Sequence, residues 1–162
     1  MITVRTLISL LVLLLSLVPG QAQTTTSADV SGQQTLRIGT EGAYPPFNYV
    51  KADGSLVGFD IAMTKELCRR IGAKCTFTAY EWPALVPTLL SGQIDAISAS
   101  MSITQRRKEI VAFTDKYFQA GVRFATCRSG RFQFTDTGLR GKTIGVQTAT
   151  TSSTFISRAF PS

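Results

Sequence analysis

The residue types best suited to chemistry stand together in residues 94–107, IDAISASMSITQRR. Ser100 and Ser102 offer hydroxyls, Thr104 can cap a following helix, and the free N–H groups of that helix's first turn favour an anion. Arg107 falls in the same first turn, where a cation opposes the helix dipole by a few tenths of a kcal/mol unless an anion answers it. Its planar fork matches a carboxylate through two parallel hydrogen bonds. The stretch therefore reads as an anion-gripping corner, against a competing reading of Arg106, Arg107 and Lys108 as a solvated cluster beside an ordinary serine loop. A second such stretch is residues 41–47, EGAYPPF, which presents an acid, Glu41, and an aromatic, Tyr44, on backbone that two prolines keep out of a helix. The chain has no histidine, which removes histidine-based triads and ordinary catalytic zinc, and neither a metal nor a cofactor is expected.

These residues need elements to place them. Residues 94–99 are apolar enough for a buried strand, so the serine loop is delivered at a strand's carboxyl end, where open α/β sheets bind ligands. Residues 36–40 form a strand that runs into Glu41. A turn at Asp53-Gly54 and a brief strand at residues 56–59 follow, and Asp60 is a credible N-cap. The next helix, residues 61–71, turns Ile61, Leu67, Cys68 and Ile71 to one face before Gly72 stops it. Residues 74–80 alternate as a strand. A helix opens at Glu81-Trp82-Pro83, closes at Ser91-Gly92, and points Leu85, Val86, Leu89 and Leu90 inward, with a local kink at Pro87. Beyond the central stretch, residues 111–114 and 139–146 read as strands, residues 122–126 as an apolar crossing segment, and Phe155-Ile156 as the hint of a last helix. Strands alternating with helices indicate an α/β fold.

The chain of 162 residues carries a formal net charge of +7, scattered enough to read as solubility rather than a binding code. Arg5, the apolar run of residues 7–18 and the small residues before Ala22 read as a signal peptide over residues 1–22, too short to span a bilayer. Residues 23–35 read as a flexible leader. Cys68 and Cys75 stand seven positions apart, a spacing that can close in an oxidising compartment; on the chain-entropy view such a loop is worth roughly 2.5 kcal/mol. A free buried pair is the alternative, and Cys127 has no evident partner.

Taken in order, IGTEGAYPPFNY, GFDIAMTKELC, YEWPALVPTLLSGQIDAI, SMSITQRR and GKTIGVQTATTS resemble the periplasmic solute-binding proteins for polar amino acids that feed ABC importers, over residues 36–153. The nearest likeness is to binders of lysine, arginine, ornithine or opines. The resemblance implies a type II periplasmic-binding-protein-like fold whose first lobe is a mixed sheet flanked by helices, residues 36–120. It places a hinge-crossing strand at residues 121–128 and the start of an incomplete second lobe at residues 129–162. It implies that Arg107 clamps the ligand's α-carboxylate, helped by the N–H of Ser102 and by the hydroxyl and N–H of Thr150 or Thr151. Ser100 receives the α-ammonium through its carbonyl, Tyr44 and Trp82 sandwich the ligand's side chain, and Glu41 meets the distal charge. Relatives also carry the equivalent of a Cys68–Cys75 disulfide. The implied protein is a non-enzymatic, periplasmic monomer with a membrane permease as partner, and it binds no nucleic acid.

Two departures stand out. Ala99 occupies a position where relatives often have serine, and about a hundred residues of a second lobe are absent, which should weaken binding because closure cannot desolvate the site. Three other readings compete: a periplasmic enzyme similar to cyclohexadienyl dehydratases with Glu41 as its acid, a receptor's sensory module, and a truncated remnant without function.

Overall fold

The computed structural model describes residues 35–130 and 133–160. The expected signal peptide, and the expected leader up to residue 34, lie outside the described residues. Strand β1 (Thr35–Thr40) starts one residue earlier than expected and is the middle strand of a parallel sheet, between β5 (Lys74–Ala79) and β6 (Ala96–Ile97). Ile38 pairs with Phe77 on one side and Ala96 on the other. Parallel neighbours need crossovers, and both are helical. Helix α1 (Phe59–Arg70) leads from β1 towards β5, and a 3-10 turn (Trp82–Ala84) running into α2 (Leu85–Leu90) leads from β5 to β6. Antiparallel pairing is present in a second small sheet, β2 (Ala43–Tyr44), β3 (Asn48–Val50) and β4 (Leu56–Val57), folded from the β1–α1 connection. The α/β class expected from the alternating pattern is therefore the one observed.

Ile38, Ile61, Leu85, Ile94 and Ala99 fill the space between sheet and helices, each no more than 3% exposed. Gly39 makes room for two of them, since a Cβ there would lie 2.4 Å from Ile94 Cδ1 and 3.3 Å from Leu85 Cδ2. Burial of each such aliphatic side chain contributes about 1.5–3 kcal/mol.

Several expectations are corrected. Helix α1 is capped by Gly58, not Asp60: Gly58 has φ 121°, and a Cβ there would come 2.3 Å from the Phe47 carbonyl oxygen. Asp60 lies inside the first turn, drawn into the protein by buried donors described below. The stripe facing the sheet is Ile61, Thr64 and Cys68, so Leu67 and Ile71, to one side of it, remain in solvent. In α2, Leu85 and Thr88 are buried while Leu90, on the last turn, is exposed. The strand expected over residues 94–99 pairs with β1 only at Ala96–Ile97. Residues 111–114 form no strand, because the N–H of Val111 is taken by the Arg107 carbonyl at the end of helix α3 (Gln105–Lys108). Residues 121–128 and 139–146 pair with no strand either; Leu139 instead ends a short helix α4 (Asp136–Leu139). The helix expected near Phe155 is α5 (Thr151–Ala159). The Cys68–Cys75 disulfide is formed, fastening the last turn of α1 to the start of β5. Cys127 is exposed and unpaired.

The sheet register is locked by a side chain. Asp95 accepts from the Arg37 N–H and Nε through Oδ2, at 2.8 and 3.0 Å, and from Nη2 through Oδ1 at 2.6 Å. Those bonds, the guanidinium first, hold the Asp95 carboxyl down from 3.8 to about 2. A depressed carboxylate contributes stability above its unfolded pKa, and that stability is lost as pH falls through the folded value. The Asp95→Asn protein should therefore melt below the parent at pH 6, with the difference closing between pH 4 and pH 2. Melting curves at those pH values check this, and a constant difference would contradict it.

Candidate functional site

The carboxyl ends of β1 and β6 open toward the same edge of the sheet and carry the two stretches that the sequence singled out. After β6 the chain passes through buried Ser98 and Ala99 to Ser100, which has φ 48°, and reaches Thr104, the N-cap of α3. The Thr104 hydroxyl accepts from the Arg107 N–H at 3.2 Å, the capping role expected of it. Arg107 then folds back along its own loop. Its Nη1 donates to the Ser102 carbonyl at 2.9 Å, and its Cζ lies 5.4 Å from the centre of the Trp82 ring. A guanidinium over an indole gains about 0.5–1 kcal/mol or more from the ring's negative face. Partial burial of Arg107 moves its pKa below the ordinary guanidinium value.

The loop before α5 closes over this corner. The Ala149 carbonyl accepts from Arg107 Nη2 at 3.1 Å and from Trp82 Nε1 at 3.0 Å. Ala149 has φ 58°, so two of the strained backbone positions of this protein, residues 100 and 149, both stand at the site. Gln147 Nε2 donates to Glu41 Oε1. Arg107, Trp82 and Glu41, three groups proposed from the sequence, are thus brought together, and all three touch the backbone or side chains of residues 147–149.

The remaining expected residues fall differently. Tyr44 is 49% exposed and stacks on Phe47, with ring centres 5.2 Å apart, and no ring contact joins it to Trp82. Thr150 is the N-cap of α5; its hydroxyl donates to the Gln147 carbonyl at 2.7 Å and accepts from the Ser153 N–H at 3.1 Å, and its own N–H reaches Ser153 Oγ. Those groups are engaged locally, whereas Thr151 opens α5 with a first-turn N–H that no intrahelical carbonyl can satisfy. Ser100 turns its hydroxyl inward to Asp60, and Ser102 contributes its carbonyl to Arg107.

Sequence reasoning passed over Asp60, Tyr117 and Gln147 as site neighbours. Asp60 is wholly buried, with Tyr117 Oη donating to its Oδ1 at 3.0 Å. Burial first, and then the Asp60 charge, push the Tyr117 hydroxyl up to about 12. The signal was present in GFDIA: an acid among apolar helix residues has to be surrounded by donors once buried. Among the described residues no cluster of cysteine and acidic side chains could hold a metal ion, and no helix is long and apolar enough to cross a membrane.

The chain is similar to several known proteins. The histidine-binding periplasmic protein of Salmonella typhimurium is 45% identical over 130 residues, covering 80% of this chain and 50% of that protein. An ancestral arginine-binding protein bound to arginine superposes with a TM-score of 0.71 at 37% identity, over 78% of this chain and 56% of that one. The arginine-bound form of domain 1 from TmArgBP superposes with a TM-score of 0.52 at 41% identity, over 54% of this chain and 69% of that one. This chain spans about half the length of the curated relatives it matches. Residues 36–151, the stretch from β1 to the start of α5, match a single family, and the chain belongs to the bacterial extracellular solute-binding proteins, family 3.

Proposed function

We propose that this chain forms the first-lobe part of an extracytoplasmic binding site for a polar, cationic L-amino acid of the arginine, lysine, ornithine or opine kind, which is passed to an ABC importer's permease. The observation that carries the reading is Arg107, half-buried against Trp82 with its fork directed at carbonyl oxygens. A ligand carboxylate displaces the Ala149 carbonyl from this fork, exchanging a neutral acceptor for an anionic one that the planar guanidinium can grip through two parallel hydrogen bonds. Thr151 supplies a helix N–H to the same carboxylate, Ser102 its N–H, and Ser100 its carbonyl to the α-ammonium. Trp82 and Tyr44 line the ligand's methylenes, and Glu41 with Gln147 meets the distal nitrogen. Relatives named for histidine and arginine fit a ligand with a nitrogen-rich side chain. An arginine-bound single domain among them supports the idea that a first lobe holds ligand without a complete partner lobe.

The reading is binding without turnover: Glu41, the acid best placed for general-acid work, is held by the Gln147 amide. Residues 1–22 act as a cleaved signal peptide delivering a monomer to the periplasm, with lobe one over residues 36–120, the crossing at 121–128 and second-lobe chain beyond.

Thermal unfolding with millimolar arginine, lysine, ornithine, histidine, glutamine and glutamate tests this. Ligand at 100 times its dissociation constant adds about 2.7 kcal/mol to the native state. A rise in melting temperature with the cationic amino acids and none with glutamate is the expected result. No rise with any of them rejects the proposal.

A further inference from the structure

Asp60 is fully buried, and among the described residues no lysine or arginine forms an ion pair with it. Its oxygens are instead ringed by donors from three separate segments. Asn48 Nδ2 of β3 reaches Oδ2 at 2.8 Å, the Tyr117 hydroxyl reaches Oδ1 at 3.0 Å, and the Ser100 hydroxyl spans both oxygens at 3.0 and 2.9 Å. The same Tyr117 hydroxyl accepts the Ser100 N–H at 3.1 Å. Ser100 is therefore gripped by its side chain and its backbone at once, and it is the residue forced to φ 48°, a region that a residue with a Cβ avoids. A backbone held in such a region persists only where its surroundings over-determine it. Here the over-determination has one centre. The conformation at residue 100 also sets the path from buried Ala99 to Ser102, whose carbonyl supports Arg107.

We propose that Asp60 is a positioning residue: its carboxylate clamps Ser100 in the left-handed conformation and so aims the serine loop and Arg107 at the ligand. Through Tyr117 the same carboxylate ties that loop to the segment entering residues 121–128. The inference rests on the binding role assigned to Ser100 and Arg107 above.

Asp60→Asn keeps the size of the side chain but turns one acceptor into a donor, so at least one group that donated to the carboxylate must reverse or lose its bond. Glycine adopts φ 48° without cost, so Ser100→Gly removes the need for the clamp. In the full chain without ligand, backbone chemical shifts of residue 100 report its conformation. They should be left-handed in the parent and lose that signature in Asp60→Asn. Calorimetry with arginine should show Asp60→Asn weakening binding about tenfold when residue 100 is serine, the size expected from one released strained residue, and much less when it is glycine. Tyr117→Phe, which keeps the ring and removes the hydroxyl, should move both readings the same way and serves if Asp60→Asn does not fold. A residue 100 that stays left-handed in both variants overturns the proposal. So does an equal loss of affinity in the serine and glycine backgrounds, which would mark general damage to the fold. If the parent binds none of the amino acids, the proposed function fails while the chemical shifts still decide the clamp.

Discussion

Replacing Arg107 with methionine should lower affinity for arginine by roughly 10- to 150-fold, because a hydrogen bond to a charged partner is worth about 1.5–3 kcal/mol. Methionine keeps an unbranched stem to lie on Trp82 and removes only the fork. The ligand-free protein should therefore melt close to the parent, since the bonds lost run to carbonyls of Ser102 and Ala149 at exposed positions. Arg107→Lys should recover only part of the affinity: an ammonium brings the charge but not two parallel donors. Calorimetric titration of the three proteins with arginine separates these terms. Methionine binding as tightly as arginine at this position would remove the carboxylate clamp from the site.

The largest loss of stability should follow Leu85→Ala, about 2–5 kcal/mol. Leu85 is completely buried and fills, with Ile94, the space left by the absent Cβ of Gly39. The rigid parallel ladder behind it leaves little freedom for the wall to collapse, so a cavity term adds to the lost transfer energy. Leu90→Ala, five residues on in the same helix but 60% exposed, should change stability by no more than about 0.5 kcal/mol. Urea unfolding compares the two through the midpoint, at constant slope. Equal effects would mean that α2 presents a different face to the sheet.

What was legible in the chain was whatever local chemistry decides. The strand at β1, the alternation of β5, the Thr104 cap and the placing of Glu41 and Arg107 near strand ends follow from period, capping chemistry and the sheet-edge rule, and the α/β class follows from their order, whereas Trp82 entered the candidate site only through the family resemblance. The errors share another cause. Asp60 has the composition of an N-cap, but donors from Asn48, Ser100 and Tyr117, distant in sequence, draw it inside, and Gly58 takes the cap because the Phe47 carbonyl leaves no room for a Cβ. Leu67 and Ile71 fit an apolar face within helical tolerance, yet of the apolar positions on that face only Ile61 and Cys68 are buried. Residues 111–114 have strand composition, but a strand exists only beside a partner, and the first donor of that segment is already committed to Arg107. Gln147 could not be matched to Glu41 from spacing alone, because nothing local links the two.

The central place of β1 also bears on how the chain comes to be folded. Each face of that strand's hydrogen-bonding potential is met by residues synthesised much later: Ile38 waits for Phe77 on one edge and for Ala96 on the other. Closing those loops costs entropy before any ladder bond repays it, and such non-local pairing slows folding. Among the described strands, the first to be synthesised is thus the last to have both neighbours. Until the chain has been made past residue 97, the parallel sheet lacks the β6 edge whose loop carries Ser100 and Arg107, so the candidate site is among the last parts of this lobe to be assembled.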